Sequence, residues 1–173
     1  FMHKIYFEKL ETKYHWLRKA MMKLSSQRTG KLLRQVPFFS DLSSHYLKRL
    51  GDMFVYCSYN KGNVIFNEGD QAEHFYILVH GKCSITVKRG HTSTCIRTLE
   101  AVSHFGEIAL VEKCSRTATV TAASDVTLLV LSASKFENFM SDAPPSLLHA
   151  VRQHVDYALS GIVRKIPFFK DIK

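Results

Sequence analysis

The residues best suited to chemistry lie in one stretch, Phe105-Gly106-Glu107-Ile108-Ala109-Leu110, followed shortly by Arg116-Thr117-Ala118-Thr119-Val120. Gly106 lets the backbone approach a ligand with no Cβ in the way. The backbone N–H groups of Ile108, Ala109 and Leu110 fall at an expected helix start, where unpaired donors and the helix dipole favour an anion. Arg116 adds a forked, permanently charged partner for the same anion. Glu107 would repel a phosphate, but its oxygens suit a sugar hydroxyl. Carboxylate, arginine and helix start together predict a ligand carrying both ribose and phosphate.

Other chemistries find little support. No nucleophile–base pair stands out, and the nine histidines are scattered, unlike the metal motifs of a phosphodiesterase. The protein is therefore expected to bind rather than to catalyse, with no metal and no cofactor beyond its ligand. Cys57, Cys83, Cys95 and Cys114 form no C-x-x-C pair and no zinc spacing. They read as reduced thiols of a cytoplasmic protein. No apolar run approaches the ~18 residues of a membrane span.

The surrounding elements must hold the stretch in place. Short β-rich runs are expected at Met53–Tyr59, Val64–Phe66, Phe75–Val79, Cys83–Lys88, Thr92–Leu99, Thr117–Ala122 and Val126–Leu131. Gly, Asn and Asp turns divide them, which predicts a sandwich or barrel. A short helix is expected at 108–112 inside this block. Helices flank it: Thr29–Gln35, then 43–52 with Ser43 as N-cap, then one capped by Ser134 through Phe136, Phe139 and Met140. A longer amphipathic helix carries Leu147, Leu148, Val151, Val155, Leu159 and Ile162, and Pro167 stops it.

The two ends of the chain have their own character. Residues 1–35 hold nine Lys/Arg against two Asp/Glu, a net of +7 out of the chain's +9. Phe7, Leu10, Tyr14, Leu17, Met21 and Leu24 give this segment a helical seam. It is expected to pack on its own domain or a neighbour, with dimerisation as the alternative; no recognition helix or zinc finger supports a nucleic-acid partner. Leu33-Arg34-Gln35-Val36-Pro37-Phe38-Phe39-Ser40-Asp41-Leu42 recurs in residue class as Val163-Arg164-Lys165-Ile166-Pro167-Phe168-Phe169-Lys170-Asp171-Ile172. That repeat predicts a second domain copy starting near 163. The expected division is an N-terminal helical segment over 1–35, a binding domain over 36–162 and the start of a second copy over 163–173. Phe1 in place of an initiator methionine agrees with a segment of a longer protein.

Taken together, F-G-E-x-A-L, a short spacer and R-T-A-T-V resemble the cyclic nucleotide-binding domain family. Val64-Ile65-Phe66-Asn67-Glu68-Gly69-Asp70 and Phe75-Tyr76-Ile77-Leu78-Val79-His80-Gly81 are similar to that family's upstream turns. The resemblance implies an α+β, mainly β fold: an eight-stranded jelly-roll barrel with flanking N-terminal and C-terminal helices. It implies that Glu107 binds the ribose 2′-hydroxyl, that Gly106, Ile108 and Ala109 offer backbone contacts to the phosphate, and that Arg116 pairs with it. It also implies a C-terminal helix that swings over the base, with Tyr157 as a possible cap.

Two positions bear on which nucleotide is bound. Thr117 stands where cAMP-preferring kinase domains usually carry alanine; its hydroxyl can reach the guanine amino group and the phosphate of a syn nucleotide. Arg97, after Ile96 on the preceding strand, resembles the arginine that reads guanine in cGMP-selective kinase domains. Guanine O6 and N7 are two acceptors that suit a bidentate fork, whereas adenine presents a donor at position 6. The resemblance is therefore closest to the tandem regulatory domains of cGMP-dependent protein kinases. It implies a cGMP sensor, alternatively a cAMP sensor of a kinase, exchange factor or channel, which relays binding to a neighbouring copy and an effector domain in the same chain.

Overall fold

The computed structural model describes residues 28–90 and 92–164. The amphipathic segment over 7–24, Pro167 and most of the second repeat lie outside these residues. Residues 28–33 are helical (α1) and lead through a 3₁₀ turn at Pro37–Phe39 into α2, Ser44–Gly51. Eight strands follow: β1 Val55–Tyr59, β2 Val64–Phe66, β3 His74–His80, β4 Lys82–Arg89, β5 Thr92–Glu100, β6 His104–Phe105, β7 Thr119–Ala122 and β8 Val126–Ser132. Between β6 and β7 lies α3, Glu107–Val111; after β8 come α4, Ala133–Ser141, and α5, Pro145–Arg164.

The strands form two antiparallel four-stranded sheets, ordered β1-β8-β3-β6 and β2-β7-β4-β5. The fold is thus mainly β, with few helices, and the described strands make two sheets rather than one closed ladder. β3 explains how they stack. Phe75, Tyr76, Ile77 and Leu78 are all buried, so its apolar run does not alternate. Phe75 and Ile77 join one core with Leu33, Phe39, Leu50, Leu129, Leu131, Phe139 and Val151. Tyr76 and Leu78 join a second with Cys83, Leu99, Phe105, Val120 and Leu128. Helices cover one face of this sheet and the second sheet covers the other, which is why its central strands are apolar on both sides. Each large side chain so buried contributes about 1.5–3 kcal/mol of transfer free energy.

The differences from expectation are local. β1 begins at Val55 rather than Met53, because the N–H groups of Met53 and Phe54 close the end of α2 on Leu50 and Gly51. β7 begins at Thr119 rather than Thr117, because Arg116 bonds instead to the 69–70 turn: its N–H donates to the Asp70 carbonyl, and its own carbonyl accepts from Gly69. β6 is an eighth strand that two residues are too few to announce. Ser43 caps α2, its hydroxyl accepting from the Tyr46 N–H. The cap of α4 is Ser132, not Ser134; the Ser132 hydroxyl accepts from the Lys135 N–H. The expected helix over Thr29–Gln35 stops at residue 33, where Gln35 and Val36 turn back with i→i−3 bonds to Leu32 and Leu33. On α5, Leu147, Val151 and Val155 are buried, while Leu148 faces outward. The four cysteines are not paired with one another. Among the described residues, no helix is long and apolar enough to cross a membrane.

Candidate functional site

The site is built around the junction of β6 and α3. β6 pairs Phe105 with Tyr76 on β3, and the two rings stack with centroids 5.0 Å apart. The next residue, Gly106, turns the chain with φ 88° and serves as N-cap of α3. That left-handed conformation is one that glycine adopts readily and other residues rarely do. It starts the helix at Glu107, one residue before the sequence placed it. The unpaired first-turn donors therefore include Glu107, Ile108 and Ala109, while the Leu110 N–H falls within the helical ladder.

Arg116 crosses under this turn and is only 3% exposed. Its Nη1 donates to the Gly106 carbonyl at 2.8 Å and its Nη2 to the His74 carbonyl at 2.6 Å. The guanidinium lies 4.2 Å from the centre of the Phe66 ring, a cation–π contact. Its Nε is buried without a partner. Burial pulls its pKa down while the neighbouring Tyr76, Glu107, Asp70 and Glu73 push back; a guanidinium in such company stays charged. Glu107 is likewise buried, with one oxygen, Oε1, 3.3 Å from His154 Nε2 and the other, Oε2, without a partner. An unpaired buried acceptor costs about 1–3 kcal/mol, which a donor from a ligand would recover.

Both residues open onto a cavity of about 790 Å³. Gly106, Ile108, Ala109 and Thr117 line it from the same side as Glu107 and Arg116. Ile96 and Arg97 line it from β5. Neighbours on a regular strand face opposite ways, but here the ladder shifts: Arg97 pairs with Ile85, and Cys95 with Thr86, leaving Ile96 as the extra residue of a bulge. The irregularity lets both side chains reach one cavity. Arg97 remains exposed there. Tyr157 lies on the rim from α5 and is 81% exposed. The cavity thus gathers every residue singled out for the site except Leu110.

α5 is docked on this site. Its Arg152 pairs with Glu112 at 2.9 Å, just beyond α3, and its His154 reaches Glu107. His154 also meets His104 of β6, Nε2 to Nε2 at 2.9 Å. Neither histidine was expected in the site. His154 falls three residues after the buried Val151, on the same helical stripe, which is the one signal that could have marked it. His104 sits on the strand too short to recognise.

The His104 ring packs 4.9 Å from Phe38 and 6.2 Å from Phe75, so its surroundings are drier than the partial exposure of the residue suggests. Burial pushes its pKa down to about 4; Glu107 opposes this, and His154 and Arg97 add to it. Unfolded, the ring titrates near 6.5. The folded state then binds fewer protons, and stability falls as pH drops from about 6.5 to about 4. This group alone is expected to make the protein about 2 kcal/mol less stable at pH 5 than at pH 7. Urea unfolding at both pH values, compared with His104→Phe, checks this: equal losses in the two proteins would rule it out.

Residues 56–143 match the cyclic nucleotide-binding domain family, and the chain belongs to it. Among curated proteins it resembles the cAMP-dependent protein kinase regulatory subunit of Candida albicans, 33% identical over 109 residues, which cover 62% of this chain and 23% of that protein. It also resembles cGMP-dependent protein kinase isozyme 1 of Drosophila melanogaster, 32% identical over 114 residues, covering 64% of this chain and 15% of that protein. The chain therefore spans a quarter or less of the length of these relatives. In fold it is similar to the regulatory domain of Toxoplasma gondii PKA co-crystallised with cAMP, with a TM-score of 0.69 at 19% identity over 80% of this chain and 51% of that one. Thermus thermophilus catabolite activator protein gives a TM-score of 0.68 at 21% identity, over 78% of this chain and 63% of that one.

Proposed function

We propose that this protein is a non-catalytic cyclic nucleotide sensor that binds cGMP in preference to cAMP and regulates a kinase domain. One observation carries the binding reading: Glu107 and Arg116, opposite in charge and both buried, line one cavity, and each keeps a buried polar atom without a partner. The ribose 2′-hydroxyl donates to Glu107 Oε2. The cyclic phosphate meets Arg116 and the first-turn N–H groups of α3. The base lies toward β5, where Arg97 reads guanine O6 and N7, Thr117 reaches its amino group, Ile96 gives apolar contact and Tyr157 caps it from α5. The two sheets enclose the ligand as a jelly roll.

The docked α5 is the output of this sensor. A ligand shifts the docking equilibrium only through its different affinity for the docked and undocked states. The helix relays that shift to a neighbouring copy of the domain and to an effector in the same chain, in the cytoplasm. The names of several relatives favour cAMP instead, and calorimetry with each nucleotide decides between them. Saturable binding of both, tighter for cGMP, is expected. Arg97→Ala and Thr117→Ala are each expected to shrink the preference by about 1–3 kcal/mol, some 5- to 150-fold. A tighter cAMP complex, or a ratio unmoved by both variants, overturns the guanine reading. Absence of binding by either nucleotide overturns the sensor and leaves an interaction or dimerisation module.

A further inference from the structure

We propose that His104, Glu107 and His154 form a binding site for a divalent transition-metal ion, zinc in the first place, that pins α5 to the β6–α3 junction. Their donor atoms, one from each residue, lie within 4.8 Å of one another. His104 Nε2 to His154 Nε2 is 2.9 Å, and His154 Nε2 to Glu107 Oε1 is 3.3 Å. A tetrahedral zinc ion with bonds of 2.0–2.1 Å holds neighbouring donors about 3.3 Å apart. Two edges of the site are thus near the size that zinc requires.

The protonation of the cluster argues the same way. Three donor atoms meet, and hydrogen bonding satisfies them only by sharing. If the His154 Nε2–H donates, it must serve both the Glu107 carboxylate and the lone pair of His104. One proton then does the work of a cation among three lone pairs, and a metal ion can take its place. Independently, Glu107 is buried with its Oε2 unpartnered. That oxygen is free to become a second bond to the metal or to stay with a ligand. Two imidazoles and a carboxylate suit zinc and its neighbours better than calcium or magnesium, which prefer oxygen alone.

The rings are also held in place. Phe38 packs 4.9 Å from His104 and 5.3 Å from His154, so one side chain orients both. The cavity supplies an entry path, since all three ligands line it. Three protein ligands leave one position for water. The His104 and Glu107 positions fall three residues apart across a turn, while His154 comes from a helix far along the chain. Sequence spacing therefore does not reveal the cluster.

The site goes beyond the nucleotide reading and does not rest on it. Zinc chloride is titrated calorimetrically into the full chain with no nucleotide present. Saturable binding of one equivalent is expected. His154→Gln should weaken it by at least the ~10–100-fold that loss of a mere supporting partner costs. Cobalt substituted for zinc should give the visible bands of tetrahedral nitrogen and oxygen coordination, without thiolate charge transfer. Absence of saturable binding overturns the proposal. So does equal affinity in His104→Ala/His154→Gln, which would place the ion on the cysteines or on other histidines. Because His104 packs among aromatic rings, its variant can fail to fold; His154→Gln, on the half-exposed side of α5, then decides alone.

Discussion

Arg116→Ala is expected to lower cyclic nucleotide affinity by about 2–5 kcal/mol, roughly 30- to 5,000-fold. The size follows from how the side chain is held. Its two terminal nitrogens are anchored on the Gly106 and His74 carbonyls, and its face lies on Phe66. It is thus pre-positioned and desolvated, so little ordering remains for a phosphate to impose. Removing it takes away the phosphate's cation and its hydrogen bonds to both carbonyls. It also removes the buried cation that opposes the Glu107 carboxylate, which works against any anionic ligand. Arg116→Lys keeps the charge but not the fork, and should fall between the two. Calorimetry of the three proteins, with their unfolding free energies measured separately, checks this. If the alanine variant bound within threefold of the parent, Arg116 would not be the phosphate partner.

Gly106→Ala should act on both stability and binding. At φ 88° an alanine is strained by about 1–3 kcal/mol. Its Cβ would also stand 2.8 Å from Arg116 Nη1, 3.1 Å from the His74 carbonyl oxygen and 3.3 Å from Tyr76 Cδ2. The guanidinium is the softest of these neighbours, so it moves, and nucleotide affinity should drop by about tenfold or more, the value of one lost charge-assisted hydrogen bond. Gly62 separates the two effects. It shares a φ of 88°, yet an added Cβ there meets nothing within 4 Å. Gly62→Ala should cost only the strain, read by urea unfolding, and leave nucleotide affinity within about twofold. Equal affinities for the two alanine variants would mean that the cradle tolerates a methyl group and that Arg116 is not crowded by it.

What the sequence made legible was whatever depends on local chemistry. Gly106, Glu107 and Arg116 stand out because a glycine, a carboxylate and an arginine have few reasons to share so short a stretch. The long apolar runs of β3 and β8 announce themselves because burial on both faces removes the polar alternation. What stayed hidden depends on pairing between distant residues. β6 is two residues long and exists only because Tyr76 and Ile77 bond to it. Ser132 and Ser134 are equally good caps by type; the backbone leaving β8 orients Ser132. The bulge at Ile96 carries no glycine to mark it, yet it brings Ile96 and Arg97 to one wall. His104 and His154 are 50 positions apart and acquire meaning only when α5 lies down.

Phe38 has a consequence beyond the packing of two imidazoles. It belongs to the 3₁₀ turn that precedes every strand, while His154 belongs to the helix that follows them all. The turn before the strands and the helix after them thus meet at the same cavity. Under the proposed function such a domain is a clasp rather than a lever, since the helix that would carry the signal packs against the turn that precedes the strands. Under that proposal, partners fused before or after the domain are both expected to register the ligand, which would make it a two-ended fitting for sensor engineering.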